Sequence, residues 1–426
     1  MFEKVLLPTD FSAYADRTLA DLIDIPGVAE VVLLHVRMRG LFPAGNSQGN
    51  DEVPALLAER VATLGKAGLH VRSMVEDAPG RDIPGTILRV CERERPSLVM
   101  IGGRGRGIVT GYLLGSVSRE LLLRSKTDLL ITRSMGNRRS RRPSLGRGGL
   151  FSKVLCPVDF SRPSMETVHA LQSIPGVNEV ILLHVIRSAE SRDELEARFA
   201  DADARCTEIE RHFGGLQGIS HRIHLGRPGD EIAAAASKEK VSLIWLSRYG
   251  STEYLKRLPI GSVTSEVAER VNVPVCIRYS YVAPEVNARE LQDSEYPLAE
   301  DLWIQYHQQR VDPATDRIFG AFLDSALVAI ARCRRHPDGH EVDGVFTPAE
   351  FRGHGYAKRA VAMLVRECGH RDLYMHSVTG LVPFYREFGF EPIHESRLPP
   401  TIRERFSFAM GELSGSDVVP MHRKPG

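Results

Sequence analysis

Cysteine is scarce in this chain. There are six in 426 residues, at Cys91, Cys156, Cys206, Cys276, Cys333 and Cys368, scattered and without a C-x-x-C pair. That argues against a disulfide framework or a thiolate metal centre, and no metal site is expected. Most of these cysteines sit in apolar runs, where a small buried thiol is the ordinary occupant. Long hydrophobic runs are missing too: none approaches the roughly 18 residues needed to span a bilayer, so no membrane segment is expected. The N-terminus enters a strand-like run directly, without a signal-peptide pattern, which makes a reduced cytoplasm the expected location. Net charge is +1, so no global field draws the chain to nucleic acid or to a membrane. What is present is an ordinary globular composition, 42% apolar and 26% charged. Its length suggests about three domains at roughly 150 residues each.

The chain copies itself. Lys4–Ser12 (KVLLPTDFS) recurs 149 residues later as Lys153–Ser161 (KVLCPVDFS), with seven of nine residues identical. Ile25–Val36 recurs at the same offset as Ile174–Val185, with ten of twelve identical. The first 280 or so residues are therefore one unit used twice. In the first copy, strands are expected at Val5–Pro8, Val31–Val36, His70–Val75, Leu98–Ile101 and Leu129–Thr132. Helices are expected after Ser12, a plausible N-cap, and over Val53–Leu64, Ile83–Arg93 and Ser116–Leu123. Strands alternating with helices predict a doubly wound parallel sheet in each copy.

Ligands bind such sheets beyond the carboxyl ends of the strands. Asp10 follows the first strand and is placed to hold a ribose hydroxyl. Gly102-Gly103-Arg104-Gly105 follows the fourth, and Gly115-Ser116 opens a helix nine residues further on. Glycines admit an anion close to the backbone, and a helix start adds unsatisfied N–H groups. Arg104 and Arg106 add charge. The alternative is a glycine-rich turn with an aspartate cap; strand and helix context together favour a nucleotide site. Here each copy resembles a universal stress protein domain, whose marks are V-x-x-P-x-D-x-S, L-L-H-V and, in ATP-binding members, G-2x-G-9x-G-[S/T]. The first copy matches at Pro8, Asp10, Val36, Gly102, Gly105, Gly115 and Ser116. The resemblance implies an adenine nucleotide α-hydrolase-like fold that binds ATP, with or without magnesium. Asp10 and Val36 would contact ribose and adenine, and the glycines and Ser116 would hold the phosphates.

The second copy departs from this pattern. Asp159 and Val185 are kept, but Ser247 replaces the first glycine. Ten residues rather than nine separate Gly250 from Gly261-Ser262, and Pro259 lies among them. Phosphate cradling there is in doubt, and the copy is expected to pair with the first as an internal pseudo-dimer; a homodimer of the whole chain is an open possibility. Between the copies, Asn137–Gly149 (NRRSRRPSLGRGG) reads as an exposed linker. Its five arginines could touch RNA, but it lacks aromatic residues for base stacking, so a nucleic-acid partner is not expected.

The last third shows no copy. Ile318–Leu323 and Ala326–Ala331 predict an antiparallel pair, His340–Thr347 and Leu373–Val378 further strands, and Leu298–Gln308, the segment from Tyr356 and Val382–Phe388 helices. Arg352-Gly353-His354-Gly355-Tyr356-Ala357 lies between a strand and a helix, where free amides can bind a diphosphate. This segment, with Phe384-Tyr385 about 30 residues on, closely resembles GNAT-type N-acetyltransferases, an α+β mixed-sheet fold. The resemblance implies an acyltransferase using acetyl-CoA on a small-molecule or protein amine. Val345 and Phe346 would bind pantetheine through the backbone, residues Arg352 to Ala357 the diphosphate, and Tyr385 would protonate the leaving thiolate. Glu341 and Asp343 alternate along one strand face, and either is a candidate general base. Many family members carry an asparagine where this chain has Val378-Thr379-Gly380. The expected domains are 1–136, a linker at 137–150, 151–281, an acetyltransferase domain at 283–415 and a tail at 416–426. The whole reads as an acetyltransferase fused to a stress-protein tandem that regulates it, or alternatively as a non-catalytic nucleotide-binding adaptor.

Overall fold

A computed structural model of the chain describes residues 2–38, 52–103, 114–133, 149–189, 191–213, 218–250, 260–280, 284–304, 309–324, 326–405 and 418–426. It divides into two compact units, Met1–Val282 and Ala283–Gly426. Among the described residues no helix is long and apolar enough to cross a membrane.

In the first unit, the first copy supplies strands β1 (Lys4–Thr9), β2 (Glu30–Met38), β3 (His70–Ala78), β4 (Leu98–Gly102) and β5 (Asp128–Thr132). Its helices are α1 (Ala13–Leu22), α2 (Val53–Gly65), α3 (Ile83–Glu94) and α4 (Ser116–Arg124). The second copy supplies β6 (Lys153–Pro157), β7 (Glu179–Ile186), β8 (Gly218–Leu225), β9 (Leu243–Ser247) and β10 (Val275–Arg278). Its helices are α5 (Arg162–Leu171), α6 (Arg192–His212), α7 (Pro228–Lys238) and α8 (Ser262–Arg270). Val31 to Leu34 are fully buried, as are Leu98 to Met100. Helices cover both faces of these strands, which is why the sequence shows continuous apolar runs rather than alternation. Ser12 caps α1 by accepting from the Ala15 amide at 3.2 Å, and Ser161 caps α5 in the same way.

All strands within a copy pair parallel, and the ten-stranded sheet runs β3-β2-β1-β4-β5-β10-β9-β6-β7-β8. The copies meet at β5 and β10, which pair antiparallel through Ile131–Val275, Leu130–Cys276 and Leu129–Ile277. Phe2 and Phe151 hold equivalent places in the two copies. Their rings lie 5.8 Å apart, and each meets the buried Trp245 edge-on at 6.1 and 6.2 Å. At the seam, Asp128 accepts from Arg278 at 2.9 Å and from the Tyr279 amide at 2.8 Å. Burial nevertheless pushes its carboxyl up against the pull of Arg278. Two arginines cross the seam onto helix ends: Arg133 donates to the Ala268 carbonyl in α8, and Arg248 to the Leu123 carbonyl in α4. Cationic donors at C-terminal carbonyls complement the helix dipole.

The second unit contains β11 (Val286–Glu290), α9 (Tyr296–Ile304), β12 (Asp316–Leu323), β13 (Ala326–His336) and β14 (Gly339–Phe346). After these come α10 (Tyr356–Cys368), β15 (Leu373–Val378), α11 (Val382–Arg386), β16 (Glu391–Pro392) and β17 (Val418–Arg423). The seven-stranded sheet runs β11-β12-β13-β14-β15-β17-β16, and β14–β15 is its parallel pair. Helix α10 buries Tyr356, Ala360, Val361, Leu364 and Cys368, a stripe at helical spacing. The expected tail at 416–426 is corrected: Val418–Arg423 is a strand that pairs with the whole of β15, from Leu373–Arg423 to Val378–Val418. A short run with Pro420 inside it reads weakly as strand, and its partner lies far upstream. All six cysteines are free and buried.

Candidate functional site

In the first copy, the residues expected at a nucleotide site come from the carboxyl ends of β1, β2 and β4. These strands are neighbours in the order β2-β1-β4, so Pro8, Asp10, Val36 and Gly102 share one edge of the sheet. The chain leaves β1 through a fixed turn. Phe11 is in the left-handed region at φ 59°, its ring stacked on His35 at 4.5 Å, and His35 Nδ1 lies 2.9 Å from the Thr9 carbonyl. Asp10 accepts from the Ser12 amide at 3.0 Å, which holds its carboxylate at the strand end. The second copy repeats the turn with Phe160 (φ 58°), His184 and Asp159.

The glycine loop begins with close backbone packing. The Gly103 amide donates to the Thr132 carbonyl at 2.9 Å, and the Gly115 amide to the Gly103 carbonyl at 2.7 Å. A Cβ at Gly103 would stand 3.2 Å from the Thr132 carbonyl oxygen and 2.5 Å from the Arg133 guanidinium, so only glycine fits without a shift. Gly115 precedes α4, and no side chain among the described residues caps that helix start. Arg104, Gly105 and Arg106 lie outside the described residues.

The second copy has a cavity of about 120 Å³ at the same edge, bordered by Asp159, Val185, Ser247, Gly250 and Gly261. Its loop is altered in a way the sequence signalled only in part. Arg248 occupies the place of Gly103, since its carbonyl accepts from the Gly261 amide at 2.8 Å. It is 3% exposed, committed to Leu123 of the first copy, and burial lowers its proton affinity. Ser247 turns its hydroxyl to the Tyr249 carbonyl at 2.8 Å. Pro259 lies outside the described residues.

In the second unit, β14 and β15 pair only from His340–Leu373 to Val342–Met375 and then part. Just beyond, β14 carries one extra residue against β13, between the pairs Arg332–Asp343 and Ile330–Phe346. Gly344 makes this bulge at φ 58°, where a side chain would collide with the buried Trp303, whose indole donates to the Gly344 carbonyl at 2.8 Å. The result leaves Val345 and Phe346 beside the gap between strands. The loop from Arg352 follows. Arg352 Nε donates to the Thr347 carbonyl at 2.9 Å, and Gly353 and Gly355 take φ 78° and 79° with open space around them. Gly355 begins α10, and no described side chain caps this helix start. Tyr385 is buried in α11, with Phe384 edge-on at 4.9 Å and Phe390 at 6.3 Å.

Glu341 and Asp343 do share one strand face, but neither stands ready as a base. Glu341 is 2% exposed and accepts from His336 at 2.9 Å and Arg405 at 2.7 Å, with His376 Nδ1 at 3.4 Å. Burial alone raises its proton affinity. The hydrogen bonds from His336 and His376 and the charge of Arg405 overcome that and hold the carboxyl far below its ordinary value. A carboxylate so strongly stabilised is a poor proton acceptor. Asp343 is gripped by Arg332 through both oxygens at 2.5 and 2.7 Å, and again by Arg405 at 3.2 Å. The residue that sequence reasoning passed over is His376. It sits one position beyond the last β14–β15 pair, on the face shared with Glu341. A histidine alternating with Tyr374 on the polar side of a strand was visible in the chain, but its carboxylate partner was not.

The profile of the universal stress protein family matches residues 1–133 and 150–277, more than half of the chain, and that of the acetyltransferase (GNAT) family matches residues 285–390. Universal stress protein MJ0577 of Methanocaldococcus jannaschii is 28% identical over 155 residues, 30% of this chain and 94% of that protein. The crystal structure of a universal stress protein from Archaeoglobus fulgidus is 23% identical, with a TM-score of 0.45, and spans 65% of this chain and 95% of its own. That of the ribosomal-protein-S18-alanine N-acetyltransferase from Escherichia coli is 12% identical, with a TM-score of 0.26, and spans 33% and 95%. The chain belongs to the universal stress protein family, as two such domains in tandem followed by a domain of the GNAT acetyltransferase family.

Proposed function

We propose that this chain is an acetyl-CoA-dependent N-acetyltransferase whose tandem stress-protein unit binds ATP in its first copy and modulates acetyl transfer. The observation that carries the catalytic reading is the parting of β14 from β15 beside an uncapped helix start. The edge at Val345 and Phe346 from which β15 has parted suits an amide-bearing pantetheine arm, which adds to it as a short strand would. The amides from Arg352 to Ala357 suit the diphosphate. Acetyl-CoA supplies an activated acyl thioester. His376 takes the proton from the acceptor ammonium: Nδ1–H donated to Glu341 leaves Nε2 as the basic nitrogen. The neutral amine then attacks the thioester carbon, and Tyr385 gives its proton to the departing sulfur. Glu341 is a positioning residue in this scheme. The rival reading, a non-catalytic adaptor, draws on the ion-paired state of Glu341 and Asp343.

The test is amine-dependent release of the coenzyme A thiol by the full chain, with protein and small-molecule amines and with or without ATP. Release that requires an amine supports the enzyme; none with any amine class supports the adaptor. A rate unchanged at saturating ATP rejects modulation and leaves catalysis standing, because coupling requires differential affinity between two states. Asp10→Ala is expected to weaken ATP binding about 10- to 100-fold, the worth of a charge-assisted hydrogen bond to a ribose hydroxyl. Calorimetric titration checks this, and an unchanged affinity would remove Asp10 from the site.

A further inference from the structure

The acetyltransferase unit has a concavity of about 270 Å³ at the end of the sheet away from the Arg352 loop. It lies where β12 and β14 begin, β13 ends and α10 finishes. Strand β14 alone separates its first residues from Val345 and Phe346 by about 20 Å, at roughly 3.3 Å per residue. Nothing in the proposed transfer of an acetyl group uses it.

Its lining is cationic. Arg335 and Arg371 border it with His340 and His370. Neither arginine is paired with a carboxylate among the described residues. Arg335 gives one N–H to the Ala314 carbonyl at 3.2 Å. Arg371 spreads its guanidinium over two imidazoles, Nε to His370 at 3.1 Å and Nη1 to His340 Nε2 at 2.9 Å. The carboxylate in the wall, Asp316, is consumed by Arg334 through both oxygens at 2.8 and 2.9 Å and by Arg332 at 3.5 Å. Arg317, also in the wall, is balanced by Glu290 at 2.7 and 2.6 Å. Two guanidiniums without a carboxylate partner among the described residues therefore border one hollow, Arg371 resting on imidazole nitrogens and Arg335 on a backbone carbonyl.

We infer that this cleft is a binding site for a small dianionic head group, a phosphate monoester or a dicarboxylate. A guanidinium satisfied by imidazole nitrogens has exchanged its natural oxyanion partner for a weaker acceptor, and an oxyanion that enters restores the charge-assisted fork. The two arginines approach from different elements, β13 and the turn after α10, so they can grip opposite sides of one ligand. His340 is held as an acceptor by its surroundings: burial first, then the charges of Arg371 and Arg335, lower its proton affinity, with His370 and His336 acting in the same direction. An anion between them reverses that balance and allows both imidazoles to donate.

The test follows the imidazole resonances of His340 and His370 in the full chain, assigned with His340→Gln and His370→Gln. Inorganic phosphate and succinate are titrated separately at ionic strength held constant with sodium chloride. The two resonances should move together and saturate. In Arg371→Ala the half-saturating concentration should rise about tenfold or more, the loss of one charge-assisted contact. Arg335→Ala serves as a second variant and should behave alike. Because other anion sites are proposed in the chain, only these two resonances count. Response to phosphate alone assigns a phosphate monoester, response to succinate alone a dicarboxylate, and response to both a site read by charge. Resonances that ignore both anions, or that saturate identically in Arg371→Ala, overturn the inference.

Discussion

Tyr385→Phe is expected to lower kcat for acetyl transfer about 10²- to 10⁴-fold, the range for losing one positioned proton donor, while acetyl-CoA binds as before. The substitution removes one oxygen. The ring stays, and it is the ring that meets Phe384 and Phe390 and fills the buried space in α11. The aromatic packing that fixes the helix should therefore be kept. A structural role for Tyr385 predicts instead a falling Tm with turnover per folded molecule intact. Stopped-flow thiol release at saturating acetyl-CoA, with calorimetry for binding, separates the two. Turnover at the wild-type rate would reject the acid assignment.

Glu341→Gln should cost about 3–5 kcal/mol of stability in the acetyltransferase unit, the usual penalty for removing one partner of a buried ionic network. The side chain is nearly inaccessible, and His336, Arg405 and His376 all converge on it. An amide of the same shape offers one acceptor oxygen and turns an N–H₂ toward donors, so Arg405 loses its 2.7 Å charge partner and, among the described residues, keeps only the 3.2 Å contact with Asp343. The pH dependence gives an independent check. The folded carboxyl is held far below its unfolded value of about 4.3, so its stabilisation is complete above that value and is lost as pH falls through the lower folded one. The gap between wild type and variant should thus be widest near neutrality and narrow below about pH 4. Thermal unfolding from acid to neutral pH measures it, and equal Tm at neutral pH would show that the network adds nothing. In the proposed scheme acetyl transfer should fall as well, since His376 loses the carboxylate 3.4 Å from its Nδ1.

Much of the fold is legible in the order of the amino acids. The strand runs at Val31–Val36 and Leu98–Ile101 are continuous because both faces are covered. Ser12 announces its helix, and the copied blocks announce the tandem. Less is legible in the sites. Ser247 stands out as a departure from the glycine pattern, but Arg248 beside it matters as much, because its destination in the first copy is a contact between residues 125 apart. The alternation of Glu341 and Asp343 correctly puts them on one face, yet that same face brings arginines against both.

By itself, the chain determined its repeat, its α/β order and its glycine-rich helix starts. These depend on side-chain period and on φ freedom, both properties of neighbouring residues. Only the tertiary structure decided that β17 completes the sheet, that Arg405 closes on Glu341 across 64 residues, and that Arg371 rests on His340 rather than on a carboxylate. Such pairings are chosen by whichever charges and strand edges the packed core brings together, and no local pattern encodes the choice.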